Sequence, residues 1–155
     1  MKYFRKLVGD RIYLSPRNSE DVEKFTEWLN DFETTDYLGR SGILTTLDGE
    51  KNYLEKCNSP EASFVIVTIN DNKMIGTEAI QLILEYGFKY LNLHSIKLDL
   101  ISCNTRAHKC YLKCGFKDTG SSREEIYLNG KYYDKLHMDI LENEFEIGCI
   151  KNKNI

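Results

Sequence analysis

Ile96-Lys97-Leu98-Asp99-Leu100-Ile101-Ser102-Cys103-Asn104-Thr105-Arg106-Ala107-His108-Lys109-Cys110-Tyr111-Leu112-Lys113-Cys114-Gly115-Phe116 is the stretch around which the chain is arranged. Ile96, Leu98 and Leu100 alternate with Lys97 and Asp99, the period of a strand with one buried face. Asn104 has the short acceptor side chain that caps free N–H groups at a helix start. Ala107, Cys110, Tyr111 and Cys114 follow at helical spacing, and Gly115 stands where a left-handed residue closes a helix. The stretch therefore predicts a strand, a capped turn, a short helix and a stop.

On such a helix Asn104 and Tyr111 share a face, with Tyr111 about 10 Å further along the axis. An amide at the mouth and a phenol two turns in would line one groove. The same pattern also fits Asn104 as a cap alone and Tyr111 as a core aromatic with a wet hydroxyl. Arg106 opposes the helix dipole in the first turn, which an anion bound there would explain. A solvated Arg106 explains it as well, because the dipole effect at an exposed site is only about 0.3–1 kcal/mol.

The pattern Asn104-x-x-Ala107-x-x-x-Tyr111-x-x-x-Gly115-Phe116 resembles a segment of the GNAT-type N-acetyltransferases, in particular the ribosomal-protein (RimJ/RimL) branch. The resemblance implies that Asn104 contacts the pantetheine arm of acetyl-CoA. It implies likewise that Tyr111 protonates the departing CoA thiolate.

With 155 residues the chain fits one domain, predicted over 1–145, followed by a tail at 146–155 without a core pattern. A hydrophobic content of 41% and a charged content of 29% are ordinary for a globular protein. No apolar run approaches the roughly 20 residues that span a bilayer. The first residues lack the apolar core of a secretory leader, so a cytoplasmic protein without membrane contact is expected. A net charge of −3 with scattered basic residues argues against a nucleic-acid partner and mildly favours cationic acceptors such as amines. Five cysteines are an odd number and read as free thiols. Cys103, Cys110, Cys114 and His108 invite a zinc module, but their spacing lacks a knuckle, so no metal is expected. No His–acid pairing supports a cysteine nucleophile.

Arg11 to Leu14 reads as a strand closed by Ser15-Pro16, and Asn18 or Ser19 as the cap of a helix with Val22, Phe25, Trp28 and Leu29 inward. Trp28 is expected to anchor the core. Thr46 or Asp48 starts a second helix with Tyr53, Leu54 and Cys57 inside. Ser63 to Ile69 is a β-branched strand. Asp71-Asn72 is expected to turn it into a short returning strand, Lys73 to Gly76. Thr77 opens a third helix carrying Ala79, Ile80, Ile83, Leu84, Gly87 and Phe88 on one stripe. Asn129-Gly130 between strand-like runs signals a hairpin. There Leu136, Met138 and Ile140 face one side and Lys135, His137 and Asp139 the other, with His137 a surface residue. The runs Asn30 to Glu33 and Asn129 to Asp134 resemble the RimJ/RimL branch, and in that family the first two helices wall the acceptor site. Asp31, Glu33 and Asp36 would draw a cation there, or form an ordinary solvated acidic surface.

The resemblance fails at one place. The family holds the CoA pyrophosphate in a glycine-rich loop between a strand and its central helix. Here Thr77-Glu78-Ala79-Ile80 follows Met74-Ile75-Gly76 directly, with that loop and a strand omitted. A returning strand at Gly76 would also send the helix out from the wrong end of the sheet. Gly76 and Thr77 remain as a reduced anion site.

The expected fold is α+β, a mixed, mostly antiparallel GNAT-like sheet flanked by helices on both faces. The function implied is acetyl-CoA-dependent transfer to a primary amine, either a protein N-terminus or a small amine. Tyr111 would be catalytic, and Gly76, Thr77, Asn104 and Arg106 would bind the cofactor. The alternative is an impaired GNAT-like fold that acts through association, since an unpaired edge favours a homodimer by strand pairing or exchange across Gly76-Thr77.

Overall fold

Residues 3–39, 42–56, 63–69 and 75–145 are described by a computed structural model of the chain. Their strands form two three-stranded antiparallel sheets, and with the helices packed on them they make the expected α+β fold, its antiparallel pairing divided between the two sheets. In the first sheet β1 (Leu7–Val8) pairs with β2 (Ile12–Pro16), and β2 with β3 (Phe64–Thr68), in a register running from Ile12 opposite Thr68 to Pro16 opposite Phe64. In the second, β4 (Ser95–Ile101) and β5 (Lys117–Leu128) flank β6 (Lys131–Leu141), with Leu98 opposite Met138.

The hairpin of β5 and β6 turns on Asn129 (φ +50°) and Gly130 (φ +81°), the paired positive angles that suit the twist of the flanking strands. β5 starts well before the apolar residues Ile126 to Leu128. Its first half is polar, contains Gly120 and carries a bulge after Ser122 with Glu124 at φ +52°. Pairing with β6 overrides the weak local preference of that half.

Helix α1 (Val22–Leu29) follows a short 3-10 turn capped by Asn18, whose side chain accepts from the Glu20 N–H at 2.9 Å. The four-residue α2 (Phe32–Thr35) and α3 (Leu47–Lys56) complete this group. Trp28 is not a core anchor. It is 44% exposed, tilted on Phe25 at 5.9 Å and roofed by the Lys24 ammonium. No residue of α1 is fully buried, so its apolar stripe has no deep core to enter. Tyr53 is likewise 50% exposed beneath the Arg17 guanidinium, while Leu54 takes the inner position. Cys57 lies outside the described residues.

Helix α4 (Gly76–Glu85) joins the two sheets. Its expected single stripe is two. Ala79 and Leu82 pack with Ile12 and Leu14 under the first sheet, whereas Leu84 and Phe88 pack with Leu100, Met138 and Ile140 under the second. Ile83 falls outside both and is exposed, which corrects its expected burial. The helix ends in a π turn, Tyr86–Tyr90. Gly87 lies inside it, where a Cβ would come 2.6 Å from Ile96 Cδ1.

The start of α4 also corrects the expected returning strand. Residues 70–74 lie outside the described set, but Ile75 is the helix N-cap and Gly76 its first residue. The helix therefore leaves from the end of the sheet where β3 finishes. There the Ile69 N–H bonds Arg11 O at 2.8 Å, and Glu78 reaches the same turn. The Arg11 N–H and Nε donate to the Glu78 carboxylate at 2.9 and 2.8 Å. The carboxylate fills the space a side chain on Gly9 would need, 2.3 Å from the ideal Cβ position. Burial alone would raise the Glu78 carboxyl, but the Arg11 and Asp10 backbone N–H groups and the Arg11 guanidinium hold it below its ordinary value.

Helix α5 (Thr105–Lys113) follows β4 as expected and closes at Gly115, φ +97°. It lies on the Leu100 and Met138 face of the second sheet, and the turn at Gly39 meets Ile101 and Ile126 on the other, so helical segments cover both faces. Among the described residues no helix is long and apolar enough to cross a membrane. The tail at 146–155 lies outside them.

Gly87→Ala should lower stability by about 1–2 kcal/mol, although alanine is the better helix former, because its methyl overpacks against Ile96. Adding Ile96→Val removes the clashing Cδ1, and thermal melts should show part of the loss recovered. Glu78→Gln should cost about 1–3 kcal/mol at pH 7, the worth of hydrogen bonds to a mostly buried charge. A depressed carboxyl stabilises fully above its ordinary pKa of 4.5 and loses that contribution as pH falls through its folded value. Urea titrations of parent and variant should therefore draw together as the pH falls below 4.5 and through the lower folded value.

Candidate active site

Strand β4 and the turn after it put Asn104 at the mouth of α5. Its Oδ1 accepts the Ala107 N–H at 3.1 Å, so the capping role is real. One cap bond uses only the oxygen, and the Asn104 NH₂ group has no partner among the described residues. Thr105 and His108 amides bond Cys103 O and Asn104 O, which leaves the Arg106 N–H as the open donor of this first turn. The Arg106 side chain is exposed and makes no ion pair among the described residues.

Tyr111 lies two turns further on the same face. Its ring is half-buried, edge-on to Phe116 at 5.7 Å and packed on the second core. Both readings of this residue therefore meet in one side chain: the ring is core and the hydroxyl has no partner among the described residues. Burial, with the neighbouring Cys110 and Cys114 thiols, pushes the phenol above its ordinary value of 10.0.

The start of α4 is brought against this helix by sulfur. Thr77 Oγ1 lies 3.3 Å from Cys110 Sγ, and Cys114 Sγ donates to Thr77 O at 3.7 Å. A Cβ on Gly76 would sit 3.7 Å from Cys110 Sγ. Ile75 offers no side-chain cap, and among the described residues the N–H groups of Gly76, Thr77 and Glu78 have no acceptor at the positive end of this ten-residue helix. Gly76, Thr77, Asn104 and Tyr111 are thus gathered on two helices in contact. Open amides suit an anion, and the free amide of Asn104 suits a chain bearing carbonyls, so these residues fit a CoA thioester. The fit rests on one glycine where the family's loop has several.

The acidic residues of the first helices are less free. Asp31 caps α2, and Asp36 accepts from Asn129 Nδ2 at 2.9 Å, leaving Glu33 exposed. Of the cysteines in the zinc reading, Cys110 faces Thr77, Cys114 is buried in the core, and His108 bonds Asp118 instead at 2.8 Å.

Sequence reading missed a polar chain on the opposite face of the second sheet. His137 Nδ1 is 2.7 Å from Asp99 Oδ1, and its Nε2 is 2.9 Å from Ser122 Oγ. Lys135 bonds Glu125 at 2.7 Å beside it. The His137 hydrogen bond is the main reason the Asp99 carboxyl lies below its ordinary value. Alternation alone put Asp99 and His137 on polar faces, but only the strand register makes them neighbours.

Comparison with known proteins places these features in a family. Residues 39–137 match the model of the acetyltransferase (GNAT) domain. The spermidine N(1)-acetyltransferase of Vibrio cholerae is 34% identical over 96 residues, covering 62% of this chain and 54% of that protein. The chain thus spans little more than half the length of that relative. The probable N-acetyltransferase YjcK of Bacillus subtilis is 24% identical over 181 aligned residues, 90% of this chain and 99% of that protein. The crystal structure of Vibrio cholerae spermidine N-acetyltransferase with CoA and spermine superposes with a TM-score of 0.76 at 23% identity, over 86% of this chain and 97% of that one. GNAT acetyltransferases use acetyl-CoA as acyl donor. With well over half its length matched to the domain model, and with the fold in agreement, the chain belongs to the GNAT acetyltransferase family.

Proposed function

We propose that this chain binds acetyl-CoA along the groove between α4 and α5 and transfers its acetyl group to a small primary amine. The observation that carries the reading is the contact between the start of α4 and α5, where Thr77 meets Cys110 on the helix that has Asn104 as its cap and Tyr111 two turns further on. Gly76 and Thr77 hold phosphate oxygens, Arg106 adds charge at the groove mouth, and Asn104 orients the pantetheine arm. The bound thioester supplies the activated acetyl group. Tyr111 keeps its proton at neutral pH because its burial disfavours the phenolate, and it delivers that proton to the departing sulfur.

A small cationic amine is favoured as acceptor by the acidic exposure of α1 and α2, including Glu23, Glu27 and Glu33, and by the naming of relatives as spermidine acetyltransferases. The likeness to the RimJ/RimL branch rests on Asn30 to Glu33 and Asn129 to Asp134, and a protein N-terminus is the acceptor it would imply. One specific observation favours the impaired alternative. The alignment to YjcK is longer than this chain, so part of that relative faces gaps here. The gap is read as the family's pyrophosphate loop and the strand before it.

Acetyl-CoA should raise the melting temperature, because a ligand binding only the folded state stabilises it, by about 2.7 kcal/mol at a hundred times Kd. Asn104→Ala and Arg106→Ala should each reduce the rise, and no rise at millimolar acetyl-CoA would remove cofactor binding. In assays against spermidine, Tyr111→Phe should lower turnover by roughly 10²–10⁴ while leaving the melt nearly unchanged, since only an unbonded hydroxyl is lost. An unchanged rate would make Tyr111 a core residue only.

A further inference from the structure

Among the described residues, strand β4 has one neighbour, β6. Ser102 N–H bonds Asp134 O at 2.9 Å and Glu142 N–H bonds His94 O at 3.0 Å, which fixes the phase of the ladder. Even-numbered residues exchange bonds with β6, so the N–H and C=O of Ser95, Lys97 and Asp99 point away from it. No other described backbone group takes them up. The side chains on this edge are ordered by type. Ile96, Leu98 and Leu100 face the core helices, while Lys97 and Asp99 stand exposed on the other face.

We infer that β4 is a self-complementary edge that pairs antiparallel with β4 of a second copy, Leu98 opposite the partner's Leu98. The charges select this register. Centred on Leu98, Lys97 lies opposite the partner's Asp99 and Ile96 opposite the partner's Leu100. Shifting the centre to Lys97 sets lysine against lysine, and shifting it to Asp99 sets aspartate against aspartate. A slip of a single residue in the pairing turns the apolar set to the wrong face. The chosen register also makes Lys97 and Asp99 the hydrogen-bonded pair, and theirs are the backbone groups that point outward.

The second sheet extends the pattern. Lys97 already lies opposite Asp139, and Asp139 opposite Lys117. Asp99 lies opposite His137, bonded to it at 2.7 Å, with Lys135 at 3.8 Å. Joining two copies sets Lys117, Asp139, Lys97, the partner's Asp99 and the partner's His137 in one row across five of the six strands, and the two-fold axis repeats the row. Opposite charges directly across strands stabilise and like charges destabilise. The Asp99 side chain is half exposed and so can meet lysine without leaving His137.

The test is light scattering and sedimentation of the full chain over a concentration series. The parent should dimerise in the micromolar range. Lys97→Asp, which breaks no ion pair among the described residues, should weaken the dimer by roughly ten- to a hundredfold through two like-charge pairs. Asp99→Lys should do the same. The double variant Lys97→Asp with Asp99→Lys recreates complementary pairs and should restore the dimer. Amide exchange should show the Lys97 and Asp99 N–H groups protected in the parent at high concentration and open in Lys97→Asp. A parent that stays monomeric at 100 micromolar (about the upper end of such a series) overturns the proposal. So does a dimer indifferent to all three variants, which another surface would then carry.

Discussion

Everything in this fold depends on α4 burying side chains in two directions. Ala79 and Leu82 close the core under β2, and Leu84 and Phe88 close the core under β4 and β6. No described ladder joins the two sheets, so their relation rests on one helix rather than on backbone hydrogen bonds. Glu78 fixes its near end to the β1–β2 turn, and the close seat of Gly87 on Ile96 fixes its far end. Each sheet alone is small and has an apolar face that must be covered. The helix supplies that cover to both.

The same constraint creates the candidate site. A helix shared between two sheets must expose its start where the sheets part, and α5 comes up beside it. The Thr77–Cys110 and Cys114–Thr77 contacts are short and adaptable, as sulfur contacts usually are. They seat the start of α4 on the helix that carries Asn104 and Tyr111 without using the Asn104 NH₂ group or the Tyr111 hydroxyl. Cys110 and Cys114 in this way let the two helices approach closely.

The sequence carried the second sheet well. Alternation in Ile96 to Ile101 and in Leu136 to Ile140, with Asn129-Gly130 between β5 and β6, encodes strands, faces and turn locally. Asn104 and Gly115 encode both ends of α5. What failed to show was tertiary. Trp28 and Tyr53 look inward by spacing, but α1 has no deep core behind it and on α3 Leu54 takes the inner place, which leaves both aromatics at the surface. Met74-Ile75-Gly76 looks like a strand end, yet Ile75 and Gly76 enter the helix because Glu78 finds the Arg11 turn. In the site, Asn104 and Tyr111 were readable from spacing. The Thr77–Cys110 contact was not, because it joins positions whose proximity only the packing of α4 on α5 determines.

The hairpin turn at Asn129-Gly130 bears on how the chain finds this structure. β5 and β6 meet across two residues, whereas β4 reaches β6 around the whole of α5 and β5, from Ile101 opposite Lys135 to Ser95 opposite Leu141. The first sheet likewise closes long loops, bringing Ile12 to Thr68 and Arg11 to Glu78. Local contacts form sooner, because less chain entropy is lost before they are made. The β5–β6 hairpin therefore acquires order early, and β4 and β3 join their sheets only once long loops have closed.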